Sequence, residues 1–372
     1  MDNQASAPQS LDPAQRTARQ RSKRTGPRRV ERTDPLAKAA GESTAPPELR
    51  VEPSSRKLRV RPWMDKPRQL MTAAVPFTRA QGVSRGITRR ALDDEQKYRQ
   101  LGYGVWVETA PTTLVVAPTW ADSEWVEERV KLSGLVCVDP DIVACNVTAA
   151  RLYGLPVPWN ADTRVHVARE DNGLSKHRKN VAFHRYEWLR SENFFGLPII
   201  TAAQLFIELA RVLTVGQLVE LGDAAVGRWH GGPLTTIDEI RAELVSRRRV
   251  KGRLTAERAL GLVRDDVDSP PETRLRLHLI DAGLPEPVVH PAITCSLIGT
   301  QLHPDMGYPS IKLAIEYEGD HHRSSPAQFA EDNRRISALQ AEGWTVIRVS
   351  KGSDMAEIRR LIAHKLRAGG LI

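Results

Sequence analysis

The C-terminal part of the sequence predicts an α/β fold, a mixed sheet flanked by helices, on three observations. Ser269-Pro-Pro-Glu272 opens a helix, because serine caps and proline suits the first turn; the helix runs to Gly283, and Pro285 and Pro287 forbid its continuation. Ile311 to Glu318 alternates with period two, which places Lys312, Ala314, Glu316 and Glu318 on one face and Leu313, Ile315 and Tyr317 on the other. Gly343 stops a helix spanning Pro326 to Glu342, and Trp344 to Val349 follows as an apolar strand. Extended runs over 288–294 and through His303-Pro-Asp305, and a closing helix over 354–367, complete the order α-β-β-β-α-β-α.

The rest of the 372 residues divides less sharply. Residues 1–60 are rich in Pro, Ser, Ala and Arg, lack a sustained apolar period and read as a disordered basic tail. They hold 13 Lys/Arg against 7 Asp/Glu, so +6 of the net +9 belongs to them. Such a tail suits either a salt-dependent grip on polyanions or a solubilising leader. Order is expected from about Trp63. Residues 61–110 offer two short helices, Phe77 to Gln81 and Gly82 to Leu92, then a hairpin over Tyr98 to Glu108, as in a winged helix or a small packing module. Residues 111–267 read as mixed α/β. Strands are expected at 113–118 and 164–168, a helix end near Gly154, and helices over 201–213, 218–226 and 237–250. Residues 268–372 form the C-terminal unit.

Composition excludes some classes. Cys137, Cys145 and Cys295 are too few for a disulfide framework and lack zinc-motif spacing, so they read as buried free thiols of a cytoplasmic protein. No run of about 18 apolar residues predicts a membrane span. No apolar segment follows the N-terminal arginine pairs, so a secretory signal is not expected.

The acidic residues of the C-terminal sheet pose the chemical question. A carboxylate in an apolar strand is costly unless it is paired or binds a cation, and hard divalent ions take carboxylate oxygens. Asp305 and Glu316, on neighbouring strands, fit that need. The segments "HPDMGYP", "IKLAIEYEGDHH" and "DNRRISALQAEGWTVIRV" resemble an uncharacterised actinobacterial domain family similar to the very-short-patch repair endonucleases. Those belong to the restriction-endonuclease-like PD-(D/E)xK superfamily.

The resemblance covers about the last 100 residues and implies Asp305 and Glu316 as ligands for Mg²⁺ or Mn²⁺, with Glu272 at the auxiliary acidic position. It also implies phosphodiester hydrolysis in DNA, in repair or defence. The pattern breaks at Glu318, which stands where the superfamily has lysine. Lys312 is on the same predicted face but roughly 13 Å along the strand. His321 or His322 would supply a general base or charge stabiliser, and Arg335 a positive charge or a partner for Asp332.

Bland alternatives stand beside these: an exposed acidic pair, a Glu272 that serves the helix dipole, a solvated Glu318. "VTAARLYGLPVP" and the helices after Thr201 resemble actinobacterial proteins whose N-terminal half is like an abortive-infection transcriptional antitoxin. This implies DNA binding by residues 75–110, with Arg79, Arg85, Arg89 and Arg90 on phosphates. It also opens the alternative of a non-catalytic regulator in which the nuclease-like fold serves binding only.

Overall fold

The computed structural model describes residues 68–372, without 103, 170–177, 187, 230–231, 248 and 320–325 and without the side chains of 326–329. All of these belong to the unit Pro53–Ile372. The basic tail, Trp63, His321 and His322 lie outside the described residues. The architecture is mixed α/β with five sheets among the described residues.

β1 (Arg68–Thr72) pairs antiparallel with β5 (Leu114–Pro118). Between them in sequence come β2 (Phe77–Thr78), α1 (Arg79–Ser84), α2 (Arg89–Leu92), β3 (Tyr98–Gly102) and β4 (Val105–Glu108). The strands form a three-stranded sheet of order β2-β4-β3. Two short helices and a hairpin are present as expected, with two corrections: Phe77 and Thr78 are extended, and Gly82 lies within α1, so the helices part at 85–88 and not at Gly82. Thr78 is the N-cap of α1; its hydroxyl accepts from Gln81 N, and the Gln81 side chain accepts from Thr78 N. An N-cap residue needs extended dihedrals, so the helix starts only at Arg79.

The middle region holds α3 (Ser123–Val138), β6 (Val143–Ala144), α4 (Asn146–Leu152), β7 (Val165–Arg169), β8 (Val181–Arg185), β9 (Ser191–Phe194) and β10 (Leu197–Ile200). Helices α5 (Ala202–Leu209), α6 (Val215–Val226), α7 (Ile237–Ser246) and α8 (Arg253–Leu262) follow. The sheet order is β8-β7-β6-β10-β9. β7–β8 and β6–β10 are parallel, and the other pairs are antiparallel. Thr201 caps α5 through Gln204 N, as the sequence suggests. Helix α3 is not legible in the sequence because its buried positions, Trp125, Glu128, Val130, Leu132, Gly134 and Leu135, wrap the helix instead of forming a stripe. The predicted helix over 237–250 ends at Ser246.

The C-terminal part runs α9 (Pro270–Asp281), β11 (Val288–Val289), β12 (Ile293–Cys295), β13 (Thr300–Leu302), β14 (Met306–Tyr308), β15 (Leu313–Glu318), α10 (Pro326–Ala341), β16 (Thr345–Ser350) and α11 (Met355–Ala368). A four-stranded sheet has the order β11-β14-β15-β16, antiparallel except for the parallel β15–β16 pair. The expected run over 288–294 is therefore two strands in different sheets, since β12 pairs with β13 in a hairpin of its own. The expected strand at Ile311 begins two residues late. Pro309–Ile311 form a 3-10 turn, and Lys312 is left-handed with φ 53°. Lys312 thus leaves the strand face, and its Nζ donates to the Glu342 carbonyl at 2.9 Å.

Two features fix how this sheet is held. Helix α9 faces two cores: Leu275 and Leu279 pack with Met306 and Ile315, while Leu277 packs into the core of the middle region. Gly307 in β14 lies where a Cβ would come 2.5 Å from the Leu313 carbonyl oxygen of β15. Gly307→Ala is expected to cost about 1–3 kcal/mol by forcing the strands apart. Urea unfolding reads that loss, and an unchanged midpoint would refute the tight approach.

Candidate metal centre

Strand pairing assembles an acidic cluster at one end of the four-stranded sheet. β14 and β15 pair Met306 with Ile315, and Asp305, the residue just before β14, comes next along that direction on the side of Glu316. The two main candidates from sequence are therefore cross-strand neighbours. Asp305 is anchored further: its Oδ2 accepts from Tyr317 N at 2.6 Å. β11 and β14 pair Val289 with Met306, which brings His290 beside Asp305, and His290 N donates to the Asp305 carbonyl at 3.1 Å. Glu272 enters from the first turn of α9, where Pro270 and Pro271 precede it. Its Oε1 accepts from Ser269 Oγ at 2.5 Å and its Oε2 from Asp268 N at 3.1 Å. Glu272 thus also helps to close the helix start, which combines the local and the functional readings of that residue.

Ligand atoms of Glu272, His290 and Asp305 all lie within 4.8 Å of one another. His290 Nε2 is 3.8 Å from Glu272 Oε2 and 3.7 Å from Asp268 Oδ2. Glu316 stands at the edge of this trio and takes Arg335 of α10 at 3.7 Å. Arg335 therefore pairs toward Glu316 and the cluster. Glu318, one step further along the same face, is ion-paired with Arg348 Nε of β16. Glu318 is thus engaged by an arginine, and Lys312 is turned away to Glu342.

The electrostatics are those of crowded acids. Burial pushes the Glu272 carboxyl up to about 7, and the Asp305 charge adds to it. Burial and Asp305 also raise Glu316 to about 7, against an opposing pull from Arg335. Asp305 is raised by burial, with opposing contributions from the Tyr317 N–H and His290. Three carboxylates that suppress one another's ionisation become compatible when a cation sits among them. The donor set, carboxylate oxygens and one imidazole, fits a divalent ion, and the imidazole suits Mn²⁺ better than Mg²⁺.

Sequence reasoning missed His290. It precedes Pro291 and follows a two-residue strand; only the register with β14 makes it a neighbour of Asp305. Arg348 was missed because its role depends on the parallel pairing of β15 and β16.

No protein-family model matches the chain. The uncharacterized proteins MT2308 and Rv2248, from the CDC 1551 / Oshkosh and ATCC 25618 / H37Rv strains of Mycobacterium tuberculosis, are each similar to it. The identity is 28% over 227 residues, which is 60% of this chain and 80% of theirs. No helix among the described residues is long and apolar enough to cross a membrane.

Proposed function

We propose that the C-terminal region is a restriction-endonuclease-like hydrolase that cleaves phosphodiester bonds in DNA with Mn²⁺ or Mg²⁺. The observation that carries this reading is the cross-strand apposition of Asp305 and Glu316 beside Glu272 and His290. Three buried acids with a single arginine among them, Arg335 beside Glu316, are a costly arrangement unless an ion joins them. Asp305, Glu272 and His290 would hold the ion, with Glu316 completing the acidic wall. A bound divalent cation supplies Lewis-acid polarisation of a phosphoryl oxygen and acidifies water for in-line attack. Arg335, beside Glu316, would offset negative charge on the phosphate.

The N-terminal module supports a DNA partner. Two short helices lie in sequence between β2 and the β3–β4 hairpin, the connectivity of a winged helix. Arg79, Arg85, Arg89 and Arg90 are all exposed there. The Arg79 guanidinium sits 5.4 Å over Trp106 and that of Arg85 5.6 Å over Phe77, so both are held in place by aromatic rings.

The second reading, a non-catalytic antitoxin-like regulator, draws on Glu318. A carboxylate held by Arg348 does not do the work of a lysine on developing negative charge. Supercoiled plasmid and linear duplex incubated with the full chain and Mn²⁺ or Mg²⁺ separate the two readings. Nicking is expected, stronger with Mn²⁺, and absent from Asp305→Ala and Glu316→Ala. No cleavage by the wild type on either substrate, with duplex binding retained, would sink the enzyme reading and leave the regulator.

A further inference from the structure

A second cluster of ligating side chains lies in the middle region, built from residues with no part in the acidic centre. Cys145 follows β6, His184 lies on β8 and Glu208 lies near the end of α5; one ligand atom from each falls within 4.8 Å of the others. The chemistry differs from the acidic centre: a thiol, an imidazole and a single carboxylate.

The surroundings prepare each group for an ion. Glu208 Oε2 accepts the backbone N–H of Asn146 at 3.3 Å, while Oε1 is sealed from solvent and accepts no hydrogen bond among the described residues. A buried carboxylate oxygen without a donor calls for a cation or a proton. Cys145 is fully buried, with its backbone N–H on the His166 carbonyl, and it gives no side-chain cap to α4. The imidazole is oriented by a relay. Asp162 Oδ2 lies 3.2 Å from His166 Nε2, and His166 Nδ1 lies 2.9 Å from His184 Nε2. Asp162 is hydrogen-bonded to Arg164 and forms no hydrogen bond with His166 Nε2, but its charge favours a proton on that nitrogen, which leaves His166 Nδ1 as the acceptor and His184 Nε2 as the donor. His184 Nδ1 is then an unprotonated lone pair. Metal-bound histidines are held in this way, with the second ring nitrogen donating to a fixed partner that leads to a carboxylate.

We propose that Cys145, His184 and Glu208 bind one transition-metal ion of the Zn²⁺ class. Thiolate and imidazole together select such an ion over Mg²⁺. Tetrahedral ligands at about 2.0–2.3 Å from Zn²⁺ stand roughly 3.3–3.8 Å apart, so the ligand atoms need to close by no more than about 1.5 Å on binding. The Cys145 thiol gives its proton to solvent as it ligates. Three protein ligands leave a fourth position for water or a small ligand. His184 of the cluster and Asn146 beside it line a cavity of about 740 Å³ that also includes Asp162, His166 and Arg211.

The site is independent of the nuclease reading, and its test reads metal and not cleavage. Full-length protein without a polyhistidine tag is titrated with Zn²⁺ and, separately, with Co²⁺. The expected result is one tight Zn²⁺ equivalent and a thiolate-to-cobalt charge-transfer band. The acidic centre contains no cysteine, so that band does not arise from it. Cys145→Ser is expected to abolish the band, and Glu208→Gln, nearly isosteric, to weaken binding at least tenfold with unchanged far-UV circular dichroism. If Cys145→Ser fails to fold, Glu208→Gln and His184→Gln decide. Cobalt binding without a thiolate band overturns the site. So does a band that persists in Cys145→Ser, an affinity unchanged in Glu208→Gln, or no Zn²⁺ binding at micromolar concentrations.

Discussion

Asp305→Asn is expected to stabilise the metal-free protein while reducing the proposed cleavage at least a hundredfold. Asparagine keeps an oxygen for the Tyr317 N–H, which donates to Asp305 at 2.6 Å, but it removes the charge that presses on Glu272 and Glu316. Those two carboxyls titrate near 7 in the folded chain against an ordinary 4.5. Between these values the folded state binds more protons than the unfolded state, so metal-free stability falls as pH rises through that window. The gain in the variant should therefore be negligible near pH 4 and full near pH 8, at about 1–3 kcal/mol. Thermal melts in a chelator at both pH values read it. Saturating Mn²⁺ should reverse the order, because an ion at a hundred times its dissociation constant stabilises the wild type by about 2.7 kcal/mol and has lost a ligand in the variant. A variant less stable than the wild type in chelator at pH 8 would show that the acids do not repel one another as described.

The largest loss of stability is expected from Arg276→Ala. Arg276 is fully buried and pairs with the equally buried Asp223 at 2.9 Å. Its guanidinium also donates to the Leu262 carbonyl and to Glu286, each at 2.8 Å. Asp223 further accepts from Thr273 Oγ1 and from the Arg264 N–H. Removing the arginine leaves a buried carboxylate whose main counter-charge is gone, a change that costs about 3–5 kcal/mol. Burial holds Asp223 up near 6 even with Arg276 beside it. Without the arginine it takes a proton at higher pH, so the loss should be larger at pH 8 than at pH 5. Urea unfolding of Arg276→Ala, Asp223→Asn and the double variant measures this. The double variant should lose clearly less than the sum of the singles. A cost under about 1 kcal/mol for Arg276→Ala would mean that the pair is replaceable by water.

Local rules carry over to the structure where they govern one element at a time. Ser269-Pro-Pro-Glu272 does open α9, with Ser269 donating to Glu272 instead of capping with its own side chain, and Thr201 does cap α5, because a helix start needs only a few neighbouring residues. The alternation that placed Glu316 and Glu318 on one face also holds in β15. It failed at Lys312, where a 3-10 turn and a left-handed residue interrupt the period, and no periodic pattern encodes a break of that kind. Asp305, Glu316 and Glu272 were nameable because acids in an apolar setting stand out by type. His290 and Arg348 were not, since each belongs to the site through strand register. The same holds for Cys145, His184 and Glu208, which lie 39 and 24 residues apart and meet only through a five-stranded sheet whose edge strand β8 the sequence did not reveal.

Helix α9 has a consequence for how this chain can change by recombination. Glu272 at its start serves the acidic cluster, Leu275 and Leu279 serve one core, and Leu277 serves the other. A gene fusion joined just before Asp268 would carry the acids to a new host but leave Arg276 and Leu277 facing whatever that host presents. A one-residue insertion within the helix would rotate its two apolar faces by about 100° relative to Glu272. The catalytic candidates are therefore inherited with their neighbour, and lineages that shuffle this region should be found to exchange α6 together with α9.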